Sequence, residues 1–477
     1  MSRVWPALLL FVCWTTSGVT GWCSTKPNIV LIFADDLGWQ DTGFGGSDFH
    51  ETPNLDRLAK QGMIFRQAYS SAGNCQPSRA CLISGQYTPR HGVYAVGSTK
   101  RGPVELMRME PVPNTDGLKP DDFSIAKALK QAGYATGIFG KWHLSGPTGS
   151  SPEEQGFDVV QLSRHTAGRT RADDPKAAYS LTEAACNFIT DNRDRPFFVY
   201  LPHYAVHSPI ESRAETLAKF EQKTPGTKHN NPKFAACVEE LDNAVGILMQ
   251  KLIDLKLDEN TLVAFTSDNG GTATSQEPLR GSKGCYYEGG IREPMFVRWP
   301  AVIKAGTTCD VPVINVDFYP TFLAAAGGTP KPDRPLDGES LLPLLQGKSS
   351  LEREAIFWHF PGYLDGAVAR GRDPVFRTRP VSVIRKGDWK LHLYHEEWQL
   401  DGGRDKIETN RAVELYNIAD DPREMRDLAS SEPTKRDELV DDLCAWFEKT
   451  DAKLPTNRNS QYDPATKSAP KKRKNQK

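Results

Sequence analysis

The sequence has no run of about 20 apolar residues, the length that crosses a bilayer. The longest apolar stretch near either end, residues 7–14 (ALLLFVCW), is far shorter and follows Arg3. With the small and polar residues 15–21 behind it, it reads as the hydrophobic region of a secretory signal over 1–22, so an exported product, periplasmic or secreted, is expected. Charge of one sign is also missing. Lys and Arg number 59 against 60 Asp and Glu, a formal net charge of -1, and no overall field favours nucleic acid. The nine cysteines (13, 23, 75, 81, 186, 237, 285, 309 and 444) contain no Cys-x-x-Cys pair and no zinc-finger spacing. They form no dense disulfide framework. Cys186 and Cys237 fall in apolar helical stretches that suit buried free thiols. No Asn-x-Ser/Thr acceptor and no internal repeat occurs.

What remains is an alternation of buried strands and amphipathic helices. Continuous apolar runs at 28–33 (NIVLIF), 135–139 (ATGIF), 197–201 (FFVYL) and 262–266 (LVAFT) read as strands covered on both faces. Between them lie helical segments at 54–61, capped by Asn54, at 124–132, and at 234–255 with apolar residues at 238, 241, 245, 248 and 252. The fold class expected is α/β, a largely parallel (mixed) central sheet flanked by helices. After about residue 373 the pattern changes to short strands at 381–385, 389–394 and 413–417. A hairpin turn at Lys386-Gly387-Asp388 and a helix at 435–449 accompany them, giving a small C-terminal antiparallel sheet plus helix. The organisation expected is an α/β domain over 23–372, an antiparallel subdomain over 373–460 and a disordered basic tail over 461–477.

Four polar clusters follow apolar strands: Asp35-Asp36, Lys141-Trp142-His143, His207 and Asp268-Asn269. Ligands of open α/β sheets bind beyond the carboxyl ends of the strands, so four clusters there point to one shared site. A single Asp-Asp pair is most often a helix cap or a solvated turn. Two acidic pairs, each behind a buried strand, offer oxygen ligands of the kind that select Ca²⁺ or Mg²⁺. Cys75-Gln76-Pro77-Ser78-Arg79 leads into a helix, with Pro77 suited to its first position and residue 75 just ahead of its anion-favouring N-terminus. Arg79, Lys141 and Lys283 are donors for a tetrahedral anion, and His143 and His207 are groups that can move protons near neutral pH.

Together these stretches resemble the type I, formylglycine-dependent sulfatase family, arylsulfatase-like, of the alkaline phosphatase superfamily. The resemblance runs from Pro27 to about Leu428. It takes in Pro27-Asn28-Ile29-Val30, Asp35-Asp36, residues 75–79 on to Gly85, Gly140-Lys141-Trp142-His143-Leu144, His207-Ser208-Pro209, Asp268-Asn269-Gly270, Gly281-Ser282-Lys283 and Glu288-Gly289-Gly290-Ile291-Arg292. Farther on it includes Gly387-Asp388-Trp389-Lys390-Leu391 and Glu414-Leu415-Tyr416-Asn417. Ser84 and Gln86 depart from it, standing where the family often has Thr and a basic residue.

The resemblance implies a hydrolase of sulfate esters, a sulfuric ester hydrolase, whose expected setting outside the cell makes sulfated carbohydrate the first substrate class to consider. It implies that a formylglycine-generating maturation enzyme converts Cys75 to 3-oxoalanine, hydrated to a diol. One Ca²⁺ would be held by Asp35, Asp36, residue 75, Asp268 and Asn269. One hydroxyl of the diol would attack sulfur. His207 with Lys283 would protonate the leaving alcohol, and His143 would deprotonate the second hydroxyl. Arg79 would orient the diol and Lys141 would bridge it to sulfate. Loops at 163–174, with Arg164, His165, Arg169 and Arg171, and at 357–366 are candidate cleft linings. The alternatives are a phosphodiester or phosphonate monoester hydrolase of the same superfamily, or a non-catalytic secreted Ca²⁺- or glycan-binding relative.

Overall fold

A computed structural model describes residues 26–163 and 171–466. The expected signal segment, Arg164, His165, Arg169 and residues 467–477 of the basic tail lie outside the described residues. The central sheet has nine strands: β1 (Asn28–Ala34), β2 (Met63–Tyr69), β3 (Ala135–Gly140), β4 (Val159–Leu162), β5 (Phe197–His203), β6 (Thr261–Ser267), β7 (Arg292–Arg298), β8 (Thr307–Cys309) and β9 (Val313–Ile314). Their order is β4-β3-β5-β1-β6-β7-β2-β8, with β9 on β2. β7 pairs antiparallel with β6 and β2, and the other pairings are parallel.

The apolar run in β1 explains this architecture. Successive side chains of a strand point to opposite faces. Ile29, Leu31 and Phe33 join one core with the helices Ile125–Gln131 and Phe318–Ala325, while Val30, Ile32 and Ala34 join the other with Pro53–Lys60, Ala178–Asp191 and Pro232–Asp254. A strand covered twice has no polar face, which is why it reads as an unbroken apolar run.

The second sheet is antiparallel, in the order β10 (Ala355–Phe360), β13 (Val381–Lys386), β14 (Trp389–Tyr394), β15 (Val413–Asn417). β11 (Leu364–Asp365) and β12 (Phe376–Thr378) form a separate ribbon. The helix Pro433–Thr450 packs on the second sheet through Leu439, Val440, Leu443 and Trp446. Three expectations need correcting here. The antiparallel sheet begins at Ala355, well before residue 373, because β10 is an edge strand supplied before the long excursion to β13. For the same reason 357–366 is not a loop over the cleft: Phe357 to Phe360 lie in β10, and Trp358 is buried with Nε1 donating to the Ser70 carbonyl at 2.7 Å. The tail is also still tied to the fold just beyond 461, where exposed Asp463 donates its amide to the Glu105 carbonyl at 2.9 Å. Among the described residues no helix is long and apolar enough to cross a membrane.

Candidate active site

Asp35 and Asp36 follow β1, Lys141 and His143 follow β3, His207 follows β5, and Asp268 and Asn269 follow β6. Parallel pairing of β3, β5, β1 and β6 puts these ends on one edge. Gly140 allows the close approach there. Its φ is +141°, and a Cβ on it would lie 2.1 Å from the Pro202 carbonyl oxygen of β5. The next residue, Lys141, donates its amide to that same carbonyl at 2.9 Å.

Cys75 is the first residue of the helix Cys75–Ser84, so Pro77 sits in the first turn rather than opening it. The thiol is 2% exposed, and one side-chain atom each of Asp35, Cys75 and Asp268 lies within 4.8 Å of the others. Burial pushes the thiol up from its ordinary value, against the pull of Lys141 and Lys283. The encoded thiol is therefore protonated at neutral pH, not a ready thiolate.

Three cations lie against three carboxylates. Arg79, wholly buried, donates to Asp268 Oδ2 from Nη2 at 2.8 Å and from Nε at 3.2 Å, and to the Lys141 carbonyl at 3.1 Å. Lys141 Nζ donates to Asp35 Oδ2 at 2.6 Å, and Lys283 Nζ to Asp36 Oδ1 at 2.5 Å. Asp36 itself adopts φ +64°, with its amide donating to Asp268 Oδ1 at 3.0 Å. Asn269 Nδ2 donates to Asp36 at 2.8 Å and Asp268 at 2.7 Å. Burial and the neighbouring Asp35 carboxylate push Asp268 up to about 7. Burial also works against ionisation of Asp35, but Lys141 and Arg79 hold it well below the usual carboxylate range.

The donor set fits a hard divalent cation on this structure's own terms. Asp35 Oδ1 is buried and makes no hydrogen bond among the described residues, Arg79 Nη2 being 3.4 Å away. Crowded carboxylates with a spare oxygen, and an adjacent amide, are oxygen ligands of the Ca²⁺ type.

The two histidines differ. His143, at φ +63°, has a buried Nδ1 without a hydrogen-bond partner among the described residues, and burial with Lys141 beside it lowers its pKa to about 3. His207 Nδ1 lies 2.6 Å from the Ser208 carbonyl, which fixes it as the donor, and Nε2 faces Asp36 Oδ2 at 3.6 Å.

Several supporting residues carry no sequence signal. Lys176 is 2% exposed and donates Nζ to the carbonyls of His207 at 2.5 Å and Pro209 at 2.9 Å, holding the His207 loop. Arg377, from β12, donates to the Lys283 carbonyl at 2.9 Å. Glu293 on β7 is buried and pushed well above the usual range by burial and by Asp268. In the loop 163–174, described Arg171 is exposed and paired with Asp173 at 2.6 Å.

The family model for sulfatases matches residues 27–328, and the model described as N-sulphoglucosamine sulphohydrolase, C-terminal, matches residues 282–453. The chain belongs to the type I sulfatase family. A sulfatase of Formosa agariphila is 34% identical, with 90% of each chain covered. Arylsulfatase A of Homo sapiens is 32% identical, covering 84% of this chain and 83% of its own. The crystal structure of Ps i-CgsB, also solved with k-i-k-neocarrahexaose, superposes with a TM-score of 0.71 at 29% identity, covering 91% of this sulfatase and 94% of its own chain. This sulfatase is accordingly a sulfuric ester hydrolase with the family's α/β fold.

Proposed function

We propose that this sulfatase is an exported enzyme that removes sulfate from carbohydrate, using a formylglycine made from Cys75 and one bound Ca²⁺. The observation that carries the reading is the position of Cys75. It stands at a helix N-terminus, against Asp35 and Asp268, beside two lysines and an arginine, where its own thiol is held protonated. Such a thiol is a poor nucleophile, whereas the hydrated aldehyde would supply an attacking hydroxyl and a second one for release of sulfate. Asp35, Asp36, Asp268 and Asn269 would hold the cation, which would polarise a sulfate oxygen. Lys141 and Lys283 rest on the carboxylates that a cation would claim, and so become free to donate to sulfate oxygens. Arg79 keeps Asp268 in place and orients residue 75 from one turn along the same helix.

The proton steps divide by environment. Burial and Lys141 keep His143 neutral near pH 7, so a ring nitrogen could accept the proton of the second hydroxyl. His207, with Nδ1–H fixed on a carbonyl, has Nε2 as the atom that would carry a proton to the leaving alcohol, with Lys283 nearby. The carbohydrate part of the reading is supported by the neocarrahexaose bound to Ps i-CgsB, a relative at 29% identity.

The test is the mass of the peptide containing residue 75 from native protein, with sulfate release measured on a panel of sulfated oligosaccharides and on aryl sulfate against aryl phosphate. Formylglycine at residue 75, sulfate release abolished in Cys75→Ala, and loss of activity on chelation that Ca²⁺ restores are the expected results. An unmodified Cys75 in fully active protein overturns the nucleophile, and preference for aryl phosphate overturns the substrate class.

A further inference from the structure

A second cluster of ligand-type side chains lies outside the Cys75 site. Asp41 is in the turn that follows Asp35-Asp36, His50 precedes the helix Pro53–Lys60, and His229 precedes the helix Pro232–Asp254. All three are buried, Asp41 at 1%, His50 at 5% and His229 at 2% exposure. One side-chain ligand atom of each lies within 4.8 Å of the others. No step of sulfate ester hydrolysis derived above uses any of them.

His50 is held in the form that binds a metal, and the contacts of His229 allow the same form. A metal-ligating imidazole usually donates its other ring N–H to a carbonyl or carboxylate, which leaves one lone pair for the ion. His50 Nδ1 lies 2.8 Å from the Asp41 carbonyl oxygen, while its buried Nε2 has no hydrogen-bond partner among the described residues. His229 Nδ1 faces Ser47 Oγ at 3.3 Å and the Asp48 carboxylate at 3.4 Å, which leaves Nε2 toward Asp41. The Nε2 to Asp41 Oδ1 distance is 3.4 Å. That is long for a charge-assisted hydrogen bond, which runs about 2.7–2.9 Å. It matches the edge of a tetrahedral zinc site, where ligands about 2.0–2.1 Å from the ion stand about 3.3–3.4 Å apart. Asp41 is itself oriented, its Oδ1 accepting from Thr274 Oγ1 at 2.8 Å and its Oδ2 from the Gly38 amide at 2.7 Å.

We propose that Asp41, His50 and His229 form a structural site for a zinc-class transition ion, with a water molecule as the fourth ligand. Two imidazoles and one carboxylate favour such an ion over Ca²⁺, which takes oxygen ligands. The ion would tie the turn that follows Asp35 and Asp36 to the entry points of two helices. It therefore stiffens the catalytic edge without touching substrate.

The full chain, stripped of metal by a chelator and held in excess Ca²⁺ to occupy the oxygen site, is titrated with Zn²⁺. One Zn²⁺ per chain is expected, with Tm raised by about 3 °C when free Zn²⁺ is about 100 times its Kd. Co²⁺ in its place should show the strong visible absorption of a four-coordinate site. His50→Gln and His229→Gln should each weaken Zn²⁺ binding at least about 10-fold and remove that absorption. The proposal is overturned by a wild-type chain that takes up no Zn²⁺ under these conditions, or by folded variants that bind it with unchanged affinity. Where a variant does not fold, the wild-type Co²⁺ spectrum decides, and weak bands of an oxygen-ligated ion overturn the assignment. None of these readouts depends on the state of residue 75.

Discussion

Arg79 has no exposed surface, yet it bonds Asp268 twice, approaches Asp35 and holds the Lys141 carbonyl. Only a planar guanidinium has the donors for that fork. Arg79→Lys keeps the charge but loses at least one charge-assisted bond, a cost of about 1.5–3 kcal/mol in urea unfolding. By shifting the supports of residue 75 it should also lower kcat/KM about 100-fold, since small misplacements in an active site have effects of that size. Unchanged kcat/KM would mean that the fork only supports the fold. His203 tests burial alone: it is wholly buried at the end of β5, Nδ1 has no partner among the described residues, and burial lowers its pKa to about 4. The unfolded chain takes up this proton below about pH 6.5 and the folded one does not, so its contribution is intact above 6.5 and lost as pH falls toward 4. Between pH 7 and 5, His203→Gln should therefore lose about 2 kcal/mol less stability than the wild-type chain. Equal losses would place the His203 titration in the ordinary range. The main cluster residues were legible because each follows an apolar strand. Lys176, Arg377 and Glu293 were not, since a buried lysine or glutamate has no local pattern to distinguish it from a surface one.

The helix Pro53–Lys60 shows what an element takes from elsewhere. Sequence reasoning makes Asn54 its cap, but the helix begins at Pro53, and Thr52 at the N-cap makes no side-chain capping bond. The free amides are met instead by Asp242, from the middle of the helix Pro232–Asp254, which accepts from the Asn54 amide at 3.1 Å and the Leu55 amide at 2.7 Å. Capping across 187 residues of chain is invisible to a local motif. Asp242→Ala removes both acceptors from a buried helix end and should destabilise the chain by about 1–3 kcal/mol in denaturant unfolding, the cost of buried unsatisfied donors. A change below about 0.5 kcal/mol would mean that water reaches these amides. The four strongest strands were readable to within two residues of each end because twofold burial leaves only apolar side chains. β7 and β2 were not, because Arg298, Glu293, Arg66 and Gln67 interrupt them. Gln86, read as a lost charge, accepts from Arg334 at 3.3 Å, so an arginine reaches that position from another segment.

At the scale of the molecule, the antiparallel sheet joins the central sheet through a shared core, in which Tyr69, Cys81 and Ile291 meet Trp358, Val383 and Leu391. An ion network crosses the same boundary with no solvent around it. Lys390 on β14 lies 3.0 Å from Glu288, which begins the short helix leading into β7, and 2.9 Å from Glu424 beyond β15. Glu424 also accepts the Glu288 amide at 2.6 Å and contacts His392 Nε2 at 3.1 Å. Burial works against ionisation of Glu288, but Lys390 and Arg292 lower it to about 2, while burial raises Glu424 to about 7. Lys390 and Arg292 thus share the charge of Glu288, while burial leaves Glu424 partly protonated near neutral pH. A buried pair is weak evidence of net stabilisation, because desolvation offsets its attraction, but removing one partner strands the other. Lys390→Met should therefore cost about 3–5 kcal/mol in chemical unfolding. Lys390→Met with Glu288→Gln should recover part of that, because the stranded charge is gone. Strictly additive losses in the double variant would show that the two sheets are joined by their apolar contacts alone, and that the network only tolerates the boundary it spans.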